Sequence, residues 1–515
     1  MLLKVKSASV LGIQAEMIDV EVDLTMAEKL MYHVVGLPDT AIKESGKRVR
    51  AAIRNCGFDF PAQGQITVNL APADFKKEGS CYDLPIALAI MGLMGCFDPA
   101  LLEGWLISGE LSLDGRVRPI RGALPVALSA EARGFERILL PAANTAEAAV
   151  AQKIKVYAAE TLPQVFQLLT GQSLDRPVPK ADLDALFSWR SNGLPDFSEV
   201  KGQQSAKRAL EVAAAGGHNL LLIGPPGSGK TMLAKRLPSI IPPMTFDEAL
   251  ETTAIHSVCG TLPADRPFVS HRPFRAPHHT ISTAGLVGGS SNPRPGEVSL
   301  AHNGVLFLDE LTEFNRHVLE VLRQPLEDSS ITISRATRSL TFPADFMLVA
   351  AMNPCPCGYH NSSLKQCTCT EVLVQRYLSK ISGPLLDRID IQVDVPDVKY
   401  EELTGRSRGE PSAAIAARVA AARRRQLQRF AGDRIVCNAQ MGPRHLEKYV
   451  RLEAAATRQL QSAIQDMGLS ARAYDRILKV ARTIADLAGS ESVQADHVAE
   501  AIQYRSLDRT HWNCY

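Results

Sequence analysis

The stretch Gly224-Pro225-Pro226-Gly227-Ser228-Gly229-Lys230-Thr231 gathers three glycines, a lysine and two hydroxyls within eight positions. Glycines let successive backbone N–H groups turn toward phosphate oxygens at a helix N-terminus. A lysine at this place reaches the β- and γ-phosphates, and the following hydroxyl holds Mg²⁺. Residues 220–223 read Leu-Leu-Leu-Ile, a short buried strand, and 232–236 continue as a helix. That strand–loop–helix context is the one a phosphate cradle requires. Further on, Gly304-Val305-Leu306-Phe307-Leu308-Asp309-Glu310 is an apolar strand ending in two carboxylates. Asp309 suits the Mg²⁺ shell, directly or through a water. Glu310 suits a general base that orients and activates an attacking water. An acidic turn after a strand has the same look in isolation. Beside the cradle it points to ATP hydrolysis.

A second group with metal chemistry is Cys355-Pro356-Cys357 with Cys367-Thr368-Cys369. Four thiolates satisfy tetrahedral zinc and leave no open position, so such a site is structural, not catalytic. The C-x-C spacing is tighter than the usual zinc pattern, and four reduced thiols in a loop are the alternative. The polar, turn-like Gly358-Tyr359-His360-Asn361 between the pairs favours zinc.

These residues need elements to position them, and the chain reads as a multidomain α/β protein. With 515 residues it has room for about three domains. Residues 1–171 mix alternating strands (18–22, 66–69) with helical patterns (42–55, 84–94). Residues 172–195 hold Pro177, Pro179, Gly193 and Pro195 and read as a linker. Residues 196–393 alternate apolar strands with helices, as a nucleotide-binding α/β core does. Residues 394–515 are mostly helical. The net charge is +2, from 57 basic and 55 acidic side chains, so any polyanion must be held by local clusters. The longest apolar run, 84–97, spans 14 residues, too short for a bilayer and suited to a buried helix. The charged N-terminal residues do not read as a signal peptide, so a cytoplasmic protein with reduced cysteines and no membrane partner is expected.

Four further motifs accompany the cradle: Asp196-Phe197-Ser198-Glu199-Val200-Lys201-Gly202-Gln203, Pro273-Phe274-Arg275-Ala276-Pro277-His278-His279-Thr280-Ile281-Ser282, Ala350-Ala351-Met352-Asn353-Pro354-Cys355-Pro356-Cys357-Gly358 and Gly383-Pro384-Leu385-Leu386-Asp387-Arg388-Ile389-Asp390. With them, essentially the whole chain resembles the ComM/YifB group of magnesium-chelatase-like AAA+ ATPases. The resemblance implies an N-terminal Lon-protease-like (ribosomal S5 domain 2-like) α+β domain, an AAA+ P-loop α/β core and a C-terminal helical lid. It implies that Val200 and Gly202 join the cradle in binding the nucleotide, and that Asn353 is sensor 1, although a capping Asn before Pro354 is the local alternative. It implies that Arg388 is an arginine finger presented to a neighbouring subunit's ATP. A local ion pair of Arg388 with Asp387 or Asp390 is the alternative. Arg472 resembles sensor 2, with Arg476 and Arg482 as rivals. A finger acting in trans needs a ring, and the resemblance implies a homo-hexamer.

About 70 residues separate the cradle helix from the Asp309 strand, long for a plain connection. In the family this stretch carries an insert that projects into the ring pore. Here it holds Arg272, Arg275, His278, His279 and Arg294. A second hairpin, 331–342, carries Arg335 and Arg338 about its turn and resembles the pre-sensor-1 hairpin. Arg335, Arg338, Arg275, His278 and His279 are therefore the candidates for DNA-backbone contact, without base reading. Ordinary solvated or interface arginines are the alternative, and for Arg423-Arg424-Arg425 a solvated helix face is the better reading.

Lon-type catalysis needs a Ser–Lys dyad. The resembling segment Glu78-Gly79-Ser80-Cys81-Tyr82-Asp83 has Cys81 at the nucleophile position, and Leu124 stands where the lysine should be. A thiol without its base lacks activation, so a non-proteolytic domain is expected. The whole then reads as an ATP- and Mg²⁺-dependent hexameric motor on single-stranded or branched DNA. By resemblance it is a branch-migration helicase of natural transformation. A chelatase-type motor and a partner-remodelling ATPase are the alternatives.

Overall fold

The computed structural model describes the chain apart from residues 174–175, 189–193, 264–265, 290–292, 336–337, 361, 363–364, 398–408, 468–469 and 508–515, and apart from the side chains of Ser188, Arg335 and Arg338. Two compact units are present: Met1–Arg190 with Ala249–Ser270, and Ser191–Glu248 with His271–Tyr515.

The first unit carries a seven-stranded sheet. The long hairpin β1 (Leu2–Leu11) and β2 (Gln14–Thr25) lies at its middle, closed at Gly12, whose φ of 65° suits a tight turn. On one side β3 (Met31–Val35) and β4 (Gln65–Ala71) extend it, giving the order β3-β4-β2-β1. On the other, β5 (Trp105–Ile107), β8 (Arg137–Pro141) and β9 (Lys155–Ala159) add in parallel. Between β5 and β8 in the chain, β6 (Glu110–Leu111) and β7 (Val117–Arg118) form a small antiparallel pair. Alternation along β2 and β4 sends Ile18, Val20, Val22, Ile66, Val68 and Leu70 into the core. The apolar 84–97 run supplies helix Asp83–Leu93, buried from Asp83 through Gly92. No helix among the described residues is long and apolar enough to cross a membrane.

The Ala249–Ser270 excursion packs within this unit. Ser257 accepts from the Gly122 N–H at 3.2 Å through its carbonyl, and its hydroxyl donates to Glu147 at 2.7 Å. Glu147 is also held by Asn144 Nδ2 at 2.7 Å.

The second unit is built on five parallel strands: β10 (Leu220–Ile223), β11 (Phe274–Arg275), β12 (Val305–Leu308), β15 (Met347–Met352) and β16 (Ile391–Asp394). Between β12 and β15 in the chain lies the antiparallel hairpin β13 (Ser330–Arg335) and β14 (Arg338–Pro343). The sheet order is β11-β12-β15-β10-β16. The strands β10, β12 and β15 are buried throughout and nearly all apolar, as a sheet covered on both faces requires. Ligand crevices of such sheets open beyond the carboxyl ends of the strands. Register brings three ends together there, with Ile223 opposite Met352 and Leu308 opposite Ala350.

Helices Ser412–Arg429 and Ala471–Ala488 complete the core. Ile415, Val419, Ile477 and Ile484 join Leu220, Leu222 and Val305 in one hydrophobic cluster. Ser470 caps the second of these helices, accepting from Ala473 N at 3.2 Å, and Gly489 ends it with a φ of 76°.

Candidate nucleotide site

The loop after β10 is shaped by what its glycines must avoid. A Cβ on Gly224 would stand 2.2 Å from the Val395 carbonyl oxygen, and Gly227 and Gly229 hold φ of 82° and 91°. Helix Lys230–Ala234 follows directly. Lys230 is buried, and its Nζ donates to the carbonyls of Gly224 (2.7 Å) and Pro225 (2.8 Å) and to Asn353 Oδ1 (3.2 Å). Burial pushes the Lys230 pKa down to about 8, against the pull of Asp309, Asp397 and Asp394.

Thr231 Oγ1 donates to Asp309 Oδ2 at 2.6 Å. This couples the loop to the end of β12 and sets two hard oxygen donors side by side, the donor type that Mg²⁺ takes. Asp309 Oδ1 in turn accepts from the Glu310 N–H at 3.0 Å. Glu310 has a φ of 52°, the left-handed region that a non-glycine residue enters only at a cost in energy. Its Oε2 lies 3.3 Å from His279 Nδ1.

The 196–203 motif wraps the same loop. Val200 is buried, its carbonyl accepts from Lys207 Nζ at 2.6 Å, and Gly202 has a φ of 62°. Gln203 Nε2 bridges the carbonyls of Ser228 (3.3 Å) and Pro396 (2.6 Å). Among the described residues the buried Ser228 hydroxyl has no hydrogen-bond partner.

The cysteine loop follows Asn353 immediately. Cys355 Sγ lies 3.3 Å from Cys357 Sγ and 3.8 Å from Cys367 Sγ, and Cys357 to Cys367 is 3.6 Å. All four sulfurs, Cys369 included, fall within 4.8 Å of one another. Tetrahedral zinc with Zn–S bonds near 2.3 Å needs S···S separations of roughly 3.8 Å, so the donor set fits that metal. Gly358 (φ 86°) lets this loop rest on the cradle, for a Cβ there would stand 2.6 Å from Pro226 Cδ.

The arginines singled out in the sequence gather elsewhere. Arg388 lies just before β16, at the amino end of the parallel strands, whereas the cradle lies beyond their carboxyl ends. Its carbonyl accepts from Asn219 Nδ2 (2.9 Å), next to the start of β10. The guanidinium is buried and engages the Pro384 carbonyl and Glu327, not Asp387 or Asp390. Arg472 is exposed and lies 3.3 Å from Asp387, and Arg476 is bound to the buried Asp390. Burial works against charge on Asp390, but the Arg476 guanidinium and the His218 ring outweigh it and hold the pKa below the usual carboxylate range. Arg482 is buried against Asp486, an ion pair inside the helical part.

Of the candidates for DNA contact, Arg275 is clamped by Glu297 through bonds of 2.6 and 2.7 Å. His278 is exposed and its Nδ1 lies 2.9 Å from the Thr280 hydroxyl, while His279 turns to Glu310. Arg335 and Arg338 end the two strands of the β13–β14 hairpin, and their side chains lie outside the described residues. Sequence reasoning missed the His279–Glu310 contact and the Gln203 bridge. Their only signal was that Gln203 and His279 each stand within a recognised motif.

In the first unit, burial pushes the Cys81 thiol up to about 12, and Leu124 is wholly buried. A thiol so shifted stays protonated at neutral pH and is a poor nucleophile.

A parallel sheet with a glycine cradle, a Thr–Asp oxygen pair and an Asn at adjacent strand ends defines a P-loop nucleotide-binding core of the AAA+ class. Residues 196–403 match the family described as magnesium chelatase, subunit ChlI; residues 20–144 match subunit ChlI of Mg-chelatase, and 409–505 match the C-terminal part of that subunit. The chain is 43% identical to the uncharacterized protein YifB of Salmonella typhimurium over 98% of its length and 97% of that protein's. It is equally 43% identical to competence protein ComM of Haemophilus influenzae, with 98% and 97% covered. The magnesium-chelatase 38 kDa subunit of Cereibacter sphaeroides is 25% identical over 31% of this chain and 52% of its own. The chain belongs to the ComM/YifB family of magnesium-chelatase-like AAA+ ATPases.

Proposed function

We propose that this protein is an ATP-driven motor that works as a ring of identical copies, six by family resemblance, and moves single-stranded or branched DNA. The observation that carries this reading is the division of the arginines from the cradle. Each copy holds Gly224 to Thr231, Asp309, Glu310 and Asn353 at the carboxyl ends of its parallel strands, and Arg388 and Arg472 at the amino ends. The four residues of β10 separate the two ends by roughly 13 Å. Arg388, once its guanidinium is released from Glu327 and the Pro384 carbonyl, serves a neighbouring copy's ATP, and Arg472 accompanies it.

Within one copy, Lys230 exchanges the Gly224 and Pro225 carbonyls for phosphate oxygens, which the loop N–H groups also hold. Val200 and Gly202 border the nucleotide. Thr231 and Asp309 hold Mg²⁺, which neutralises charge on the phosphates. Glu310 takes a proton from the attacking water, and Asn353 holds that water against the γ-phosphate. Arg388 stabilises charge as the γ-phosphoryl is transferred. Cys355, Cys357, Cys367 and Cys369 hold a structural zinc that stiffens the loop resting on Pro226.

The DNA role rests on the name of the Haemophilus relative, a competence protein, and on the basic hairpin ending in Arg335 and Arg338, with Arg275, His278 and His279 in the insert. The activity that fits is branch migration of recombination intermediates during natural transformation. The first unit acts without proteolysis, since Cys81 lacks a base. A chelatase-type motor is the second reading, favoured by the descriptions of the three matched families.

The test is ATP hydrolysis by the purified protein without DNA, with single-stranded DNA and with a four-way junction, at two salt concentrations. Backbone contacts give stimulation by DNA that weakens steeply with salt. Hydrolysis indifferent to every DNA sinks the DNA role and moves the weight to the chelatase or partner-remodelling readings.

A further inference from the structure

Helix Ser45–Asn55 of the first unit turns Val49, Ala52 and Ile53 into the core, and its Arg48 grips the buried Asp83 carboxylate through bonds of 2.7 and 3.0 Å. The other cations of this helix have no such use. Lys47, Arg50 and Arg54 are all exposed. At about 100° per residue they share an arc of about 60° on the side away from the core. Lys43, exposed as well, ends the short helix Thr40–Lys43 just upstream. Glu44 is the only carboxylate between Lys43 and Asn55. Among the described residues no carboxylate pairs with Lys43, Lys47, Arg50 or Arg54. Elsewhere on the same unit Lys4, Lys6 and Arg133 each meet one at 2.7 Å.

Helix stability does not account for this row. Like charges three and four residues apart repel one another. A lysine in the first turn, as Lys47 is, meets the positive end of the helix dipole. The row is instead matched to a regular polyanion. Lys47 to Arg54 spans roughly 10 Å, a length over which B-form DNA carries about six negative charges. The helix has no aromatic side chain on which an unpaired base could stack, so a single strand finds no platform there. Its apolar face is already in the core, so none is left to enter a bilayer.

We propose that the ridge of Lys47, Arg50 and Arg54 is a docking surface for the phosphate backbone of double-stranded DNA, held without regard to sequence. The proposal takes DNA as the polyanion from the functional reading above. It adds a grip on the duplex in the first unit, where the candidates so far, Arg335 and Arg338 among them, all belong to the second.

The test compares the full-length wild-type protein with two triple variants. One is Lys47→Gln with Arg50→Gln and Arg54→Gln. The control removes as much charge from paired cations of the same unit: Lys4→Gln with Lys6→Gln and Arg133→Gln. Fluorescence anisotropy of a labelled random-sequence duplex reads affinity across a salt series. Each backbone contact adds about 0.9 to the slope of log affinity against log salt, so three contacts account for about a 40-fold fall between 50 and 200 mM. The ridge variant is expected to bind duplex more weakly at low salt and to lose that part of the fall, while the control follows the wild type. Relieved of like-charge repulsion, the ridge variant should unfold at no lower temperature than the wild type, with DNA-free ATP turnover unchanged. An unchanged salt slope in the ridge variant overturns the proposal. An equal loss in the control overturns it too, because net charge alone then explains the effect. Ridge-dependent binding to phosphatidylserine vesicles, with duplex binding independent of the ridge, would assign the surface to a membrane instead. If single-stranded DNA fails to stimulate ATP turnover while ridge-dependent duplex binding stands, the motor reading fails alone. If single-stranded DNA stimulates turnover but no duplex is held, the ridge proposal fails alone.

Discussion

The nucleotide cradle and the Glu78–Asp83 loop both carry the segment of a known catalytic motif, yet they stand in opposite chemical conditions. At the cradle two motif residues have partners that prepare them: Lys230 reaches Asn353, and Thr231 reaches Asp309. At the other loop, the half-buried thiol that the resemblance puts at the nucleophile position has its pKa pushed up to about 12 by desolvation. Ser80 bonds to the Glu110 carboxylate, and the position that the resemblance to Lon-type proteases gives to a lysine is a wholly buried leucine, Leu124. The difference teaches that a reactive residue type is a small part of a site. What counts is the second group that sets its charge and direction.

The largest expected effect is at the cradle. Glu310→Gln should lower kcat for ATP by about 10³-fold while ATP still binds, since it removes the base and keeps the shape. A kcat reduced less than tenfold, measured by phosphate release, would break the contrast by moving the base elsewhere. Next is the attempt to repair the other loop. Leu124→Lys puts an unpaired ammonium into a sealed core and should cost about 4 kcal/mol of stability. Thermal unfolding should show the loss, and casein should remain uncut.

A smaller effect is a dependence on pH. The Lys230 pKa in the free site lies near 8, below the ordinary 10.5, because burial disfavours its charge. Phosphate oxygens favour the charged form. ATP binding should therefore take up a proton in the window between those two values, and affinity should weaken as pH rises through 8, by up to about tenfold per unit. Calorimetry in buffers of differing ionisation enthalpy reads the proton directly, and no uptake at pH 9 would contradict the burial argument. The smallest expected effect is none. Cys81→Ser should leave ATP turnover and DNA stimulation as they were, whereas Cys357→Ser should lose bound zinc by elemental analysis and raise KM for ATP.

The cradle was legible because its logic is local. A strand, a glycine loop and a helix follow one another in the chain, and the apolar strand ending in Asp309 declares itself by pattern alone. The helix at Asp83–Leu93 and the strands β2 and β4 were legible for the same reason, since their periods are written in consecutive residues. Contacts set by strand order were not. His279 meets Glu310 only because β11 lies beside β12, and Arg388 finds Glu327 and not a neighbouring aspartate because that glutamate comes from a helix far off in the chain. The packing of Ala249–Ser270 with Met1–Arg190 was equally silent, for helical periodicity there does not say which core receives the face.

The placement of Arg388 across the sheet from the cradle has a consequence for assembly. If each cradle is completed by the next copy, an open stack always has one cradle without an arginine and one arginine without a cradle, whatever its length. Closing the stack into a ring removes both unmatched ends at once. Turnover per chain would then rise in a step as rings close and collapse on dilution, so enzyme concentration itself would act as a switch.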